Sequence, residues 1–290
     1  MALLEREDVR PDVLVMSATP IPRSLAMALY GDLDLSVLDE LPPGRTPVQT
    51  ELRAPDRRAA VHDFVRGQVA EGRQAYIVYP LVAESEKVDL LAATEEYGRL
   101  RTEVYPDLRV GLIHGQLAAS DKDGVMRSFL AGEIDVLVAT TVIEVGIDVA
   151  NASVMVIEHA ERFGLSQLHQ LRGRVGRGAA QSHCILVGEP GQEALERLKI
   201  FRDTTDGFEV ARADLQIRGQ GDLFGSLQHG KDPALRFADL MADEDLLLVA
   251  QRGARDVVTD DPDLQRPDHL RIRSHLLARY QHRLEMYGVG

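Results

Sequence analysis

The sequence predicts an α/β fold: a mostly parallel sheet with helices on both faces, followed by a mostly helical C-terminal extension. Three observations predict it. Between residues 48 and 190 short β-rich runs alternate with helical stretches, the pattern of a parallel sheet wound with helices. Several of those runs are apolar without interruption, as strands buried on both sides require. The chain of 290 residues is 44% hydrophobic and 27% charged, a globular composition at a length that suits more than one domain.

Taken in order, residues 12–16 read as a buried strand, 17–20 as a turn and 23–30 as a short helix. Residues 41–47 hold three prolines and form a stiff linker, since proline continues neither a helix nor a central strand. A lone βα piece cannot bury its own strand, so residues 1–47 are expected to be the remnant of an upstream domain. Strands are predicted over 48–53, 75–82, 109–113, 135–139, 153–158 and 184–187. One helix runs from Pro55 to a stop at Gly72, with Ala60, Phe64 and Val65 on one face. Another begins at Ser120, with Asp123 completing a weak capping box, and ends before Gly132. Residues 48–190 are thus expected to form one domain. Beyond it, 192–202 is helical, 208–230 is glycine-punctuated with little periodicity, 232–263 is acidic, and 270–287 is a basic helix. These divide the remainder into an element over 191–232 and a tail over 233–290.

Charge and residue usage exclude whole classes. The net charge of −13 argues against a protein that coats nucleic acid or anionic membrane by bulk charge, and leaves room only for local basic patches. One cysteine, Cys184, excludes a disulfide scaffold and a multi-cysteine zinc site; inside a predicted strand it reads as a small buried hydrophobe. No apolar run approaches the roughly 20 residues that span a bilayer, and the N-terminus has no signal-peptide pattern. A cytoplasmic protein, with no membrane partner, is expected. The only lysines are Lys87, Lys122, Lys199 and Lys231, and none stands in the Gly-Lys-Ser/Thr order of a phosphate-cradling P-loop. Asp39 and Glu40 imitate a magnesium-binding Asp-Glu box, but a proline linker follows them and that reading is rejected. His159, His169, His183 and His229 lack metal-ligand spacing, so no metal site is expected. Glu158 and Glu161, beside His159, read as sheet-edge polar residues.

The densest signal is residues 164–178. Leu165, Leu168, Leu171 and Val175 recur at three- and four-residue steps and form one buried stripe. Gln170, Arg174 and Arg177 stand at i, i+4 and i+7, a second shared helical face. Gly173 and Gly176 each weaken a helix by about 1 kcal/mol against alanine, which suggests that something approaches this backbone closely. Arginines beside glycines suit a phosphate, because guanidinium is a planar, permanently charged fork. A solvated basic helix end fits the same spacing.

The string Gln-Leu-Arg-Gly-Arg-Val-Gly-Arg, residues 170–177, resembles motif VI of superfamily 2 helicases. The resemblance implies a RecA-like domain whose motif VI reaches ATP held on a preceding RecA-like domain. Arg177 then looks like the arginine finger, Arg174 its phosphate-binding companion and Gln170 a positioning residue. Residues 139–149 resemble motif V, which implies that Thr140 and Thr141 touch nucleic-acid phosphates while Gly146 and Asp148 line the nucleotide. Ser17-Ala18-Thr19 resembles motif III, which implies that Ser17 and Thr19 couple ATP state to DNA. Followed by Pro20-Ile-Pro-Arg-Ser-Leu-Ala, it resembles the RecG and Mfd group of double-stranded DNA translocases. Residues 76–82 fit motif IV and fit pure core equally well. Residues 207–225 resemble the TRG motif of that group, a helical hairpin and loop that couple nucleotide-driven closure to movement along duplex DNA. Arg212, Arg218 and Gln220 match its polar positions, and Gly219, Gly221 and Gly225 supply the flexible backbone of a moving loop. The Leu-Pro-Pro-Gly-Arg linker and Asn151-Ala-Ser favour RecG.

The resemblance carries a function: the second motor half of an ATP-dependent helicase that remodels branched double-stranded DNA, such as stalled forks and Holliday junctions, in repair and recombination. ATP and Mg2+ are the implied cofactors, with their main ligands on a first motor domain outside this chain, beside an N-terminal wedge domain. The chain alone is expected not to hydrolyse ATP. The alternatives are an Mfd-like transcription-repair translocase, whose partner is RNA polymerase, and a non-catalytic RecA-like DNA-binding module. The basic terminal helix suits either DNA phosphates or packing with its charges outward.

Overall fold

The computed structural model describes residues 46–80, 86–140, 149–218 and 244–287, with positions 14, 16, 36 and 38. Residues 46–218 and 244–287 belong to separate compact units. The first opens with β1 (Gln49–Arg53), a 3-10 turn over Pro55–Arg57, α1 (Arg58–Ala70) and β2 (Gln74–Val78). Then come α2 (Glu86–Arg99), whose end widens into a π turn over Leu100–Val104, and β3 (Val110–Ile113), α3 (Ala119–Leu130) and β4 (Val136–Ala139). β5 (Ala152–Glu158), α4 (Leu165–Arg172), β6 (His183–Val187), α5 (Gln192–Asp203) and α6 (Gly207–Arg218) complete it.

The strands form one six-stranded sheet in the order β1-β6-β5-β2-β4-β3, and every pairing is parallel. Side chains alternate across it, as the pleat dictates. Ala75, Ile77, Val136, Val138, Val154 and Val156 pack with Val61 and Val65 of α1, Ala93 of α2 and the ring of Tyr105. Tyr76, Val78, Leu137, Ala139, Met155 and Ile157 pack with Phe129 of α3, Leu165, Leu168 and Leu171 of α4, Leu198 and Phe201 of α5 and Val210 of α6. Each fully buried aliphatic side chain contributes about 1.5–3 kcal/mol. The parallel sheet with helices on both faces is the fold class the sequence predicts.

Several local expectations change. α3 starts at Ala119 with Ala118 at its cap and no side-chain cap; Ser120 sits inside the first turn, its hydroxyl 3.5 Å from Asp121 Oδ1, so the Ser120–Asp123 capping box does not form. β2 stops at Val78, short of residue 82, because Pro80 has no N–H for the ladder. α2 has no counterpart in the sequence reading. The stretch read as aperiodic from 208 is helical through Arg218, with Val210 and Ala213 buried; the glycines that blurred it begin at 219. Leu14 and Met16, read as part of a buried strand, are 81% and 82% exposed and lie in no strand.

The second unit holds α7 (Glu244–Asp260) and α8 (Leu270–Tyr287). Between them the Asp261 carboxylate accepts the backbone N–H groups of Gln265 and Arg266, at 3.0 and 2.8 Å, and lies 2.9 Å from His269 Nδ1. Those hydrogen bonds hold its pKa down to about 2. No helix among the described residues is long and apolar enough to cross a membrane.

Candidate functional site

The candidate site gathers where α4 ends. Gly164 leads into this helix with extended backbone, and its N–H donates to Gln167 Oε1 at 3.2 Å. Leu165, Leu168, Leu171 and Val175 are fully buried, the stripe that the spacing predicts. The helix closes at Arg172, so Gln170, Arg174 and Arg177 do not share one helical face. Gly173 to Arg177 instead form a turn, with Arg174 N–H on the Leu171 carbonyl at 3.0 Å and Val175 N–H on that of Arg172 at 3.2 Å. Gly176 has φ +79, where side chains are strained, and a Cβ there would stand 2.7 Å from Val48 Cγ2. A Cβ at Gly178 would collide with the Ala150 carbonyl. The close approach that the glycines signal is therefore met, at Gly176 and Gly178, by the domain's own backbone and core.

Arg177 is exposed and donates from Nε to the Gly173 carbonyl at 3.1 Å. Arg174 is half-buried. Both positive charges act on the phenol of Tyr76 in β2: burial pushes that hydroxyl up to about 12, and Arg174 and Arg177 oppose the rise. The turn thus brings the two guanidinium groups to the same neighbourhood, although not by the helical geometry expected.

Thr140, at the carboxyl end of β4, is fully buried; its N–H reaches the Ile113 carbonyl at 3.2 Å, and its hydroxyl has no hydrogen-bond partner among the described residues. An unpaired buried hydroxyl costs about 1–3 kcal/mol, and the carboxyl ends of strands in open α/β sheets are where ligands bind. Gln170 is half-buried on α4, and Arg212 is exposed on α6. Arg218 closes the α6 backbone. Ser17, Thr19, Thr141, Gly146, Asp148 and Gln220 lie outside the described residues, as does the side chain of Arg218.

The opposite face carries charge differently. Glu158 ends β5, an interior strand rather than a sheet edge, and is 2% exposed. Arg58 of α1 grips it through Nε at 3.0 Å and Nη2 at 2.9 Å. Nearby, Arg99 and Glu96 of α2 pair at 2.7 Å, and Tyr79 OH stands 3.5 Å from Glu96. His62 meets Tyr105 OH through Nδ1 at 2.8 Å, while its buried Nε2 has no partner among the described residues; burial and the charges of Arg99 and Arg58 hold its pKa down.

Residues 56–179 match the family described as the helicase conserved C-terminal domain, and residues 204–283 match domain 3, C-terminal, of ATP-dependent DNA helicase RecG. Over 262 residues the chain is 52% identical to the ATP-dependent DNA helicase RecG of Thermotoga maritima, across 90% of this chain and 33% of that protein. Through most of its length the chain is thus similar to RecG proteins. RecG of Bacillus subtilis is 46% identical over 92% of this chain and 39% of its own length. A solved structure of RecG bound to a three-way DNA junction is similar with a TM-score of 0.66 and 54% identity, across 82% of this chain and 31% of that one. The chain therefore spans about a third of the length of the RecG relatives it matches.

Local sequence patterns did not reveal Tyr76 as the phenol beside the arginines, Arg172 as a buried cation or the ion pair on Glu158. The signal for Arg172 was spacing: it stands four residues after Leu168 and seven after Leu165, on the face of the buried stripe.

Proposed function

We propose that this chain acts as the second motor half of an ATP-dependent DNA helicase that remodels branched double-stranded DNA, forks and Holliday junctions among it, in repair and recombination. The observation that carries the reading is the continuous RecG match, 52% identical over 262 residues, through both motor domain and domain 3. Arg177 is the arginine finger, Arg174 binds phosphate and Gln170 positions them. A guanidinium set against the transferring phosphoryl of ATP accelerates hydrolysis by about 10³–10⁵. The residues present fit that role, because two permanently charged forks share one glycine-hinged turn. Gly146 and Asp148 line the nucleotide. Ser17, Thr19, Thr140 and Thr141 contact or couple to DNA phosphates, and Arg212, Arg218 and Gln220 transmit movement to the duplex.

Magnesium is assigned, from the same resemblance, to ligands of a first motor domain carrying the P-loop. DNA is gripped mainly by its phosphates, with selectivity from branch shape. Buried Cys184 suits a reducing cytoplasm. The domain 3 match over 204–283 favours this reading over a transcription-repair translocase or a non-catalytic module.

The test uses a protein carrying both motor halves. Arg177→Ala is expected to lower DNA-stimulated ATP hydrolysis about 10³-fold, while affinity for a three-way junction stays within about twofold, since phosphate contacts dominate binding. Hydrolysis within about tenfold of the parent would remove the finger assignment. A parent that does not unwind junctions with ATP would remove the reading itself. The 290-residue chain alone, without a P-loop, is expected to be silent in the same ATPase assay.

A further inference from the structure

Arg172 is 4% exposed, and its hydrogen bonds go to neutral groups. Nη1 donates to the backbone carbonyls of Phe201 and Thr204, at 2.9 and 2.8 Å, and lies 3.4 Å from Thr50 Oγ1. Nη2 stands 3.1 Å from His169 Nδ1, and the guanidinium carbon lies 4.1 Å from the centre of the Phe201 ring. Burial lowers the pKa of Arg172 and holds that of His169 down to about 4, so the imidazole is neutral and accepts the hydrogen bond. The two carbonyls lie at the C-terminal end of α5, in its last turn and its cap, where the helix dipole is negative and backbone oxygens lack intrahelical donors.

What lies on either side of Arg172 gives it a purpose. The next five residues are the turn that carries Arg174 and Arg177. Beyond Thr204, Asp206 N–H binds Thr204 Oγ1 at 3.2 Å, and Asp206 Oδ1 accepts the Phe208 N–H at 2.8 Å, capping the start of α6. Farther along, Ser166 of α4 stands 3.4 Å from Asp214 Oδ2 of α6. We propose that Arg172 is a positioning residue: it clamps the end of α4 to the α5–α6 junction, so that a displacement of the 173–177 turn moves α6 as one body. The proposal rests on the motor reading above and names the joint through which that motor would pass its stroke to α6. Only a planar fork serves two carbonyls, an imidazole and a ring face together. Lysine, a single point donor, keeps the charge and loses the joint.

Arg172→Lys and Arg172→Met in a protein with both motor halves test this. Each is expected to keep DNA-stimulated ATP hydrolysis within about threefold, while junction unwinding per ATP hydrolysed falls about tenfold or more. In the 290-residue chain, amide exchange over 204–210 is expected to quicken in both variants without a matching change elsewhere. Should either variant fail to fold, Phe201→Leu removes the ring under the guanidinium at small packing cost, and unwinding per ATP is expected to drop about threefold. An unchanged coupling ratio in a variant that melts within about 5 °C of the parent overturns the proposal. Parallel loss of hydrolysis and unwinding overturns it too, leaving Arg172 a purely structural anchor. A parent without ATPase fails differently, since it removes the motor reading rather than the joint.

Discussion

The two faces of the sheet hold arginine by opposite means. Under α1 and α2, Arg58 meets the carboxylate of Glu158 and Arg99 that of Glu96, so positive charge is neutralised within the domain. Under α4, Arg172 is more deeply buried yet answered only by carbonyls, a hydroxyl and a neutral imidazole. Two further guanidinium groups stand within a few residues of it, and both act on Tyr76. A carboxylate partner would serve stability at either place. Around Arg172 the charge is instead stabilised by oriented carbonyl dipoles, a neutral imidazole and a ring face. The difference teaches that the first face meets its arginines with opposite charge, whereas the second accepts the cost of burying one among neutral groups.

Truncation breaks that comparison most sharply. Arg172→Ala is expected to cost the 290-residue chain about 4 kcal/mol, because it empties a packed site and leaves the ends of α5 without donors. Arg58→Ala should cost about 2 kcal/mol: it strands a buried carboxylate, but the arginine is partly exposed and water can replace it. Urea unfolding of both variants decides the order. A larger loss at Arg58 would mean that the carboxylate pair, not the carbonyl clamp, is the deeper electrostatic commitment.

Acid sharpens the same contrast. His169 titrates near 4 in the folded chain against an ordinary 6.5, because it is buried and faces Arg172, with Asp206 opposing weakly. Between those values the unfolded chain binds the proton that the folded chain refuses, so stability rises with pH and acidification removes it. The expected loss from pH 6.5 to pH 4 is about 2.5 kcal/mol at this site. His62, His114 and His183 are shifted down as well and add in the same direction. His169→Asn, whose amide oxygen can take the place of Nδ1 as acceptor, should flatten the stability curve in this window by that share. An unchanged curve in thermal melts would mean that the imidazole is not held neutral beside the clamp.

What was legible in the sequence follows from how locally each feature is written. β2, β4 and β5 were readable because a strand covered on both sides must be apolar throughout, and all three are buried along their whole length. The stripe from Leu165 to Val175 was readable for the same reason, since one turn of helix fixes which residues face the core. The Arg172 clamp was not, because its two carbonyl acceptors lie about thirty residues away and are backbone atoms, which carry no side-chain signature. The helical face through Gln170, Arg174 and Arg177 failed at Arg172, where α4 closes, a few residues before Gly176 turns left-handed. Periodicity says where a helix would put a side chain, and it cannot say that the helix has stopped.

The smallest effect lies at the point where the chain passes from one face to the other. Glu158 turns toward Arg58 on the α1 side, and Ala160 packs with the α4 core. His159 between them takes φ 50 and ψ 46, a left-handed conformation that costs a branched or bulky residue about 1–2 kcal/mol. Its side chain is exposed and lies 3.5 Å from Glu161 Oε1, a contact of little worth at the surface. Asparagine tolerates this conformation through local hydrogen bonding and adds no glycine-like freedom to the unfolded chain. His159→Asn should therefore stabilise the chain by about 0.5 kcal/mol, and His159→Val should destabilise it by about 1 kcal/mol or more, since β-branching is least tolerated there. Melting curves that rank valine above asparagine would mean that the crossing between the two faces is not made by left-handed backbone, and that Glu158 reaches Arg58 by some other path.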